Sequence, residues 1–161
     1  MDNQPLSISL DTAGAKTSVP LIANGQYCEF RLTDLSMQST DKGNVTKWKF
    51  ELVKPTVTTD GRPLNPGEFG ATQFVNIQLY AKPDAKNPQW FVEKIARYQD
   101  ALLGTGDAGN SKGKPARPTF DASCVQQMLG KTLIAKVGVR TYEGNDSNEF
   151  ATVSFPADIA A

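Results

Sequence analysis

Five segments of this sequence alternate apolar and polar residues, and this pattern constrains the fold more than any other feature. Successive side chains of a β-strand point to opposite faces, so a period of two indicates half-buried strands. The first strand begins at Gln26, and the turn residues 41–44 separate it from the second. The other strands are predicted at 46–52, about 71–80, 131–142 and 150–155. The chain is therefore predicted to be mainly β.

Each of the first four segments has one set of residues in phase for a core. These sets are Cys28, Phe30 and Leu32; Thr46, Trp48, Phe50 and Leu52; Val75, Ile77 and Leu79; and Leu133, Ala135, Val137 and Val139. Trp48 is assigned to the core because it is in phase with its apolar neighbours, whereas the sequence does not decide the position of Trp90.

A helix is predicted between the third and fourth strands. Asn87 is a good N-cap, Pro88 suits the first helical position, and Gly104 provides a C-terminal stop. Phe91, Ile95, Tyr98 and Leu102 recur at helical spacing, and Asp121 can cap a second, short helix that ends near Gly130. Five antiparallel strands with a helix between strands three and four are the order of an OB-type barrel. Other small α+β sheets are the alternative.

The length of 161 residues fits one domain. We divide it into a flexible N-terminal arm (1–20), an OB-type barrel domain (21–156) and a short C-terminal tail (157–161). Prolines and glycines exclude regular structure over most of residues 54–70. A long loop rich in glycine and lysine occupies 104–118; it either wraps a ligand strand or is a solvated linker.

The composition argues against an enzyme. The chain has no histidine, which removes the commonest general base and metal ligand. Cys28 and Cys124 are predicted to be buried free thiols without metal-ligand spacing. Residues 109–115 resemble a phosphate loop, but the glycine spacing is short and Pro115 replaces the hydroxyl residue. We therefore predict no catalytic residues, no metal site, no cofactor and no small-molecule substrate.

The cellular location follows from what the sequence lacks. No signal peptide is visible at the start of the sequence, and no apolar run approaches the roughly 18 residues of a membrane span. We therefore expect a cytoplasmic protein with no membrane partner.

Charge is unevenly distributed along a chain whose net charge is zero. Basic residues dominate segments 42–54, 104–120 and 131–140, whereas acidic residues collect in 1–41 and 141–161. A neutral protein can therefore carry a basic face, provided that the fold brings the second strand, the fourth strand and the long loop together.

Aromatic residues that lie out of phase with the core complete the predicted site. Single-strand binding requires cations near phosphates and flat rings on which unpaired bases stack. The candidate nucleic-acid-binding residues are Tyr27, Arg31, Lys47, Lys49, Phe74, Asn76, Tyr80, Lys112, Lys114, Arg117, Lys136, Arg140 and Tyr142. The alternative for the third-strand residues is that this face packs under the helix or against another subunit.

Short pieces of the sequence resemble the OB-fold single-stranded DNA-binding proteins of bacteriophages. The opening hairpin carries Gly25-Gln26-Tyr27, then Thr40-Asp41-Lys42-Gly43 and Trp48-Lys49-Phe50. The closing part carries Leu129-Gly130-Lys131, Tyr142-Glu143-Gly144 and Phe155-Pro156. The resemblance implies a barrel that coats single strands during phage replication or recombination in the host cytoplasm. Many such proteins end in a strongly acidic tail that recruits partners, whereas residues 156–161 hold one acid.

Two functions follow as expectations. The first is sequence-tolerant, non-enzymatic binding of single-stranded DNA. The alternative is a phage structural or interaction protein with a β-barrel and no nucleic-acid role. The sequence leaves the oligomeric state open, and a homo-oligomer is compatible with either function.

Overall fold

The computed structural model describes residues 9–14, 21–41, 43–66, 74–81, 89–107 and 113–159. Five long strands are β1 (Tyr27–Thr40), β2 (Gly43–Leu52), β5 (Phe74–Ala81), β6 (Thr132–Tyr142) and β7 (Asn145–Ser154). Two short strands, β3 (Thr56–Val57) and β4 (Pro63–Leu64), lie between β2 and β5. The helices are α1 (Gln89–Leu103), α2 (Ala122–Met128) and α3 (Pro156–Ile159).

The long strands form one antiparallel sheet in the order β5-β2-β1-β6-β7. The prediction of a mainly β fold with a five-stranded antiparallel sheet is therefore confirmed. The sheet is open: among the described residues no hydrogen-bonded ladder joins the edge strands β5 and β7. A barrel would require these two edges to pair.

A β-bulge interrupts the simple alternation of the first strand. Leu32 pairs with Phe50 and Asp34 pairs with Lys49, so Thr33 is an extra residue on β1. Its hydroxyl donates to the carbonyl oxygen of Lys49 at 3.1 Å. A bulge bends and twists a strand without ending it, which is why β1 continues to Thr40 after the simple alternation fails.

The core lies on one face of the sheet and beneath α1. The Phe150 ring contacts the rings of Phe30 and Phe50, with centroids 4.9 and 5.0 Å apart, and Tyr98 of α1 packs edge-on to Trp48. Residues that are predicted to be in the core and are buried in the structure are Cys28, Phe30, Leu32, Thr46, Trp48, Phe50, Leu52, Val75, Leu79, Ile95, Tyr98, Leu102, Leu133, Ala135 and Val137. Ile77, Phe91 and Val139 are only partly buried.

Specific residues fix the start of α2 and the end of α1. Asp121 caps α2, because its carboxylate accepts a hydrogen bond from the backbone N–H of Cys124 at 2.9 Å. Gly104 follows α1 with φ +70°, and a Cβ there would lie 2.8 Å from the Phe155 ring. Glycine is therefore needed at this position, because any side chain would clash with the Phe155 ring and would be strained at this positive φ. The predicted helix start at Asn87 and Pro88 lies outside the described residues.

Several details differ from the sequence prediction. The proline-rich stretch after β2 contains the small β3–β4 hairpin, since Pro63 occupies a position in a two-residue strand where no long ladder is interrupted. β7 begins at Asn145 rather than Phe150, because polar residues can extend an exposed hairpin that apolar alternation does not mark. α3 was not predicted, being a single turn.

Both cysteines are free and buried, as predicted. The Cys28 thiol donates to the Thr56 hydroxyl at 3.3 Å, and burial raises its pKa despite that hydrogen bond. In the described part of the chain, no helix combines the length and apolar character needed to cross a membrane.

Candidate nucleic-acid interface

The outer face of the sheet, opposite the core, carries the strand residues that were predicted to bind a single strand. On β2, Lys47 and Lys49 point outward while Trp48 and Phe50 are buried. The β2–β5 register places Lys49 opposite Asn76 and Lys47 opposite Gln78. Strand alternation alone therefore delivers lysines and amides to one exposed surface.

An aromatic ring and a lysine contact each other at the edge of this face. Phe74, which is 36% exposed, begins β5 opposite Glu51. The Lys49 Nζ lies 4.3 Å from the Phe74 ring centroid. This is a cation–π contact, in which the positive charge is attracted to the face of the ring. The pair presents an apolar plane and a positive charge side by side.

Two further ring–cation pairs lie on β1 and β6. Tyr27 is 62% exposed and pairs with Lys136, whose Nζ is 5.9 Å from the tyrosine ring. Tyr142 is 65% exposed, and the Arg140 guanidinium lies 5.9 Å from its ring. Each of these exposed rings therefore lies beside a positive charge, an arrangement that can offer a stacking plane and a cation together.

Acidic residues interrupt the basic character of the outer face. Arg31 lies opposite Glu51 on one side and Thr132 on the other. Asp34 is opposite Lys49, and Glu29 is 3.7 Å from Lys54. Because β1 lies between β2 and β6, the lysines of those two strands are not neighbours. The face is therefore a mixture of cations, acids and rings rather than the basic stripe that the segment charges predict.

The two described cations of the long loop face carboxylates instead of the outer face. The Arg117 guanidinium binds both oxygens of Asp100 at 2.6 and 2.8 Å, and Asp107 at 2.7 Å. The hydrogen bonds that Arg117 donates to Asp100 are the main reason that the pKa of Arg117 is raised. Lys114 forms an ion pair with Asp158 of α3. These contacts hold the loop to α1 and α3, so we assign neither residue a phosphate contact.

Backbone hydrogen bonds close the base of the same loop. The Gly106 N–H donates to the Pro115 carbonyl, and the Arg117 N–H donates to the Gly106 carbonyl, both at 3.0 Å. Lys112 lies outside the described residues. Tyr80 lies in β5 opposite Val45, and its side chain is outside what the structure describes.

A cleft of about 410 Å³ separates the two edge strands β5 and β7. Tyr98 of α1 and Phe150 of β7, both buried, are among the residues that line it. It is also lined by Asn76, Gln78, Lys94, Arg140, Ser147, Asn148 and Glu149. Asn148 serves the fold, because its side chain bonds to both backbone groups of Ile22.

Tyr98 makes the stability of the protein sensitive to alkaline pH. Burial and, to a smaller extent, the Glu149 carboxylate raise the pKa of its phenol well above the ordinary value of 10.0. Above that value the unfolded chain releases a proton that the folded protein retains, so the free energy of unfolding falls as pH rises. At about pH 11 we expect this residue to account for a loss of about 1.4 kcal/mol.

Urea unfolding of the protein and of Tyr98→Phe, at about pH 9 and about pH 11, measures that loss. The variant keeps the ring and lacks the titrating group, so its free energy of unfolding is expected to fall less. An equal fall in both proteins would show that Tyr98 is not the source.

No protein-family model matches the chain, and no curated protein matches it.

In the described part of the chain, no group of three or more histidine, cysteine, aspartate or glutamate residues is placed to hold a metal ion.

The sequence prediction missed the cleft and its lysine. Lys94 lies on α1 between the partly buried Phe91 and the buried Ile95, at a position that helical periodicity marks only as polar. Lys94 lines the same cleft as Arg140 because of the way α1 packs against the edge strands. That packing cannot be inferred from the local sequence pattern. The predicted residues that the structure does group on the outer face are Arg31, Lys47, Lys49, Phe74 and Asn76, with Tyr27 and Lys136 further along β1 and β6.

Proposed function

We propose that this protein binds single-stranded DNA without strong sequence preference, in phage replication or recombination, through the outer face of an OB-type sheet. The observation that carries the proposal is the set of ring–cation pairs on exposed strands: Phe74 with Lys49, Tyr27 with Lys136, and Tyr142 with Arg140. Each pair joins the two groups that a single strand requires, a stacking plane for a base and a charge for a phosphate.

The spacing of the rings suits an extended chain. Tyr27 lies four residues before Arg31 on β1, and Arg31 is on the same row as Glu51 and Phe74. At about 3.3 Å per residue and about 4.8 Å between strands, the two rings are roughly 16 Å apart. A single DNA strand that crosses the sheet obliquely can therefore stack bases on both rings while its backbone passes the lysines.

The same groups explain why sequence would matter little. Every base has a flat face that can stack on an aromatic ring, and lysine contacts phosphate whichever base is attached. Duplex DNA offers its phosphates but not its base faces, so the rings would contribute nothing to duplex binding.

The acids on the outer face favour a second candidate, a phage structural or interaction protein. Glu29, Asp34 and Glu51 lie among the cations, and the net charge of the chain is zero. A protein partner with charges of both signs would complement such a surface, whereas a phosphate chain is repelled by the acids.

The salt dependence of binding separates the two candidates. If five cations each neutralise one phosphate (Arg31, Lys47, Lys49, Lys136 and Arg140), the logarithm of the affinity falls with the logarithm of salt with a slope of about −3.5. Between about 50 and 200 mM salt the dissociation constant is then expected to rise roughly 130-fold from a micromolar or lower value. Fluorescence anisotropy with a labelled single-stranded oligonucleotide measures it.

A duplex of the same length is the control and should bind less tightly. Absence of binding at about 50 mM salt, a low value on this scale, would reject the nucleic-acid proposal and leave the interaction protein. Affinity that does not change with salt would also reject it, since no counterions would then be released.

A further inference from the structure

The cleft between β5 and β7 has the composition of a nucleotide subsite. Its volume of about 410 Å³ lies within the range of about 300–1,000 Å³ that is typical of small-molecule pockets. Two aromatic residues, Tyr98 and Phe150, are part of its lining, and the amide residues Asn76 and Gln78 line it along β5. We propose that the cleft takes one base of a bound single strand, with an adjacent phosphate on Lys94 and Arg140; this rests on the proposed function.

The cleft is continuous with the outer face. Asn76 is opposite Lys49 and follows Phe74 by two residues on β5, so it is about 6.6 Å along the strand from Phe74. A DNA strand that stacks a base on Phe74 and follows β5 therefore reaches the cleft within a short distance. Arg140 is shared in the same way, because it borders the cleft and also contacts the Tyr142 ring.

The charges of the cleft orient the nucleotide. Lys94 and Arg140 are cations, and Glu149 is an acid that borders the same space. A phosphate is repelled by a carboxylate, so the phosphate belongs at the cations and the base beside Glu149. A carboxylate accepts hydrogen bonds from exocyclic amino groups, such as N4 of cytosine. The subsite is therefore expected to favour cytosine over thymine at one position of the bound strand.

A matched pair of charge substitutions on α1 tests the phosphate contact. Lys94→Gln is expected to weaken binding of a single-stranded oligonucleotide about tenfold, since a hydrogen bond to a charged group is lost. Arg97→Gln removes the same charge from an exposed position, three residues further along the helix and outside this cleft. It should change the affinity much less. Equal effects of the two substitutions would overturn the subsite.

Base preference provides a second and independent readout. The native protein is expected to bind an oligo(dC) roughly fivefold more tightly than an oligo(dT) of the same length, and Glu149→Gln should reduce that ratio. Urea unfolding of the variant checks that it is folded. A ratio near one in the native protein would overturn the assignment of Glu149.

Photo-crosslinking locates the bound base directly. An oligonucleotide with one 5-iodocytosine is expected to crosslink to the peptide that contains Tyr98 or Phe150. Crosslinks confined to Tyr27, Phe74 and Tyr142, together with an unchanged affinity of Lys94→Gln, would overturn the subsite and leave the proposed function intact. Absence of any binding by the native protein would instead remove the proposed function, and the subsite with it.

Discussion

Trp48→Ala is expected to lower the free energy of unfolding by about 3–5 kcal/mol, the typical cost of truncating a buried aromatic ring. Trp48 is 1% exposed. It packs edge-on to Tyr98 with 5.1 Å between ring centroids, and its ring lies 6.0 Å from that of Phe120. The truncation would therefore open a cavity at the junction of β2, α1 and the segment before α2. Urea unfolding followed by circular dichroism measures the loss.

The indole N–H adds a polar constraint at the same place. It donates to the Thr46 hydroxyl at 2.9 Å, and both residues are buried. Thr46→Val preserves the shape and leaves this N–H without its acceptor, so a loss of about 1–3 kcal/mol is expected. If Trp48→Ala weakened single-strand binding while unfolding was unchanged, the assignment of the two faces of β2 would have to be reversed.

Strand alternation predicted the faces of β2 and β5 correctly because these two strands pair with each other from Asn44–Ala81 to Glu51–Phe74 without a register shift. Trp48 and Lys49 are adjacent in sequence. Trp48 is buried in the core, whereas Lys49 is exposed to solvent beside Phe74. A period of two separates such residues, and the sheet then preserves the separation. The identity of the exposed face of β5 could therefore be inferred before the structure.

The long loop could not be predicted in the same way. Lys114 and Arg117 lie in a glycine-rich stretch, where the local sequence indicates only positive charge. Their partners, Asp158 and Asp100, are 44 and 17 residues away. Ion pairs of this kind depend on the packing of α1 and α3 against the loop. The charge of a segment therefore does not show whether its cations face a ligand or the protein itself.

The pairing of the sheet edges also could not be predicted from the sequence. The order of the strands indicates which strands are neighbours, but it does not indicate whether the edge strands pair to close the sheet. Whether β5 pairs with β7 depends on the curvature of the whole sheet, to which the bulges on β1 and β7 contribute. The open edge creates the cleft that Tyr98 and Glu149 border. A feature that sequence order cannot specify thus produces the second candidate site.

Phe74→Ala and Tyr27→Ala are each expected to weaken single-strand binding by about 1–3 kcal/mol, which is roughly five- to 150-fold in the dissociation constant. The reason is the loss of a stacking plane beside a lysine. Neither change should lower stability as Trp48→Ala does, because Tyr27 is exposed and Phe74 is only partly covered. Anisotropy titrations and urea unfolding of the same preparations give both quantities.

Val92→Ala is the matched control, since Val92 is an exposed apolar residue on α1, outside the outer face. It should change neither the affinity nor the free energy of unfolding by much. The interaction-protein alternative predicts another pattern: the rings of Tyr27 and Phe74 would then contribute to a protein contact, and their removal would leave oligonucleotide binding as weak as before. A loss of unfolding free energy for Phe74→Ala close to that of Trp48→Ala would mean that the ring packs within the fold. The three outcomes differ in which measured quantity changes, so one set of variants decides among a stacking surface, a protein interface and a structural role.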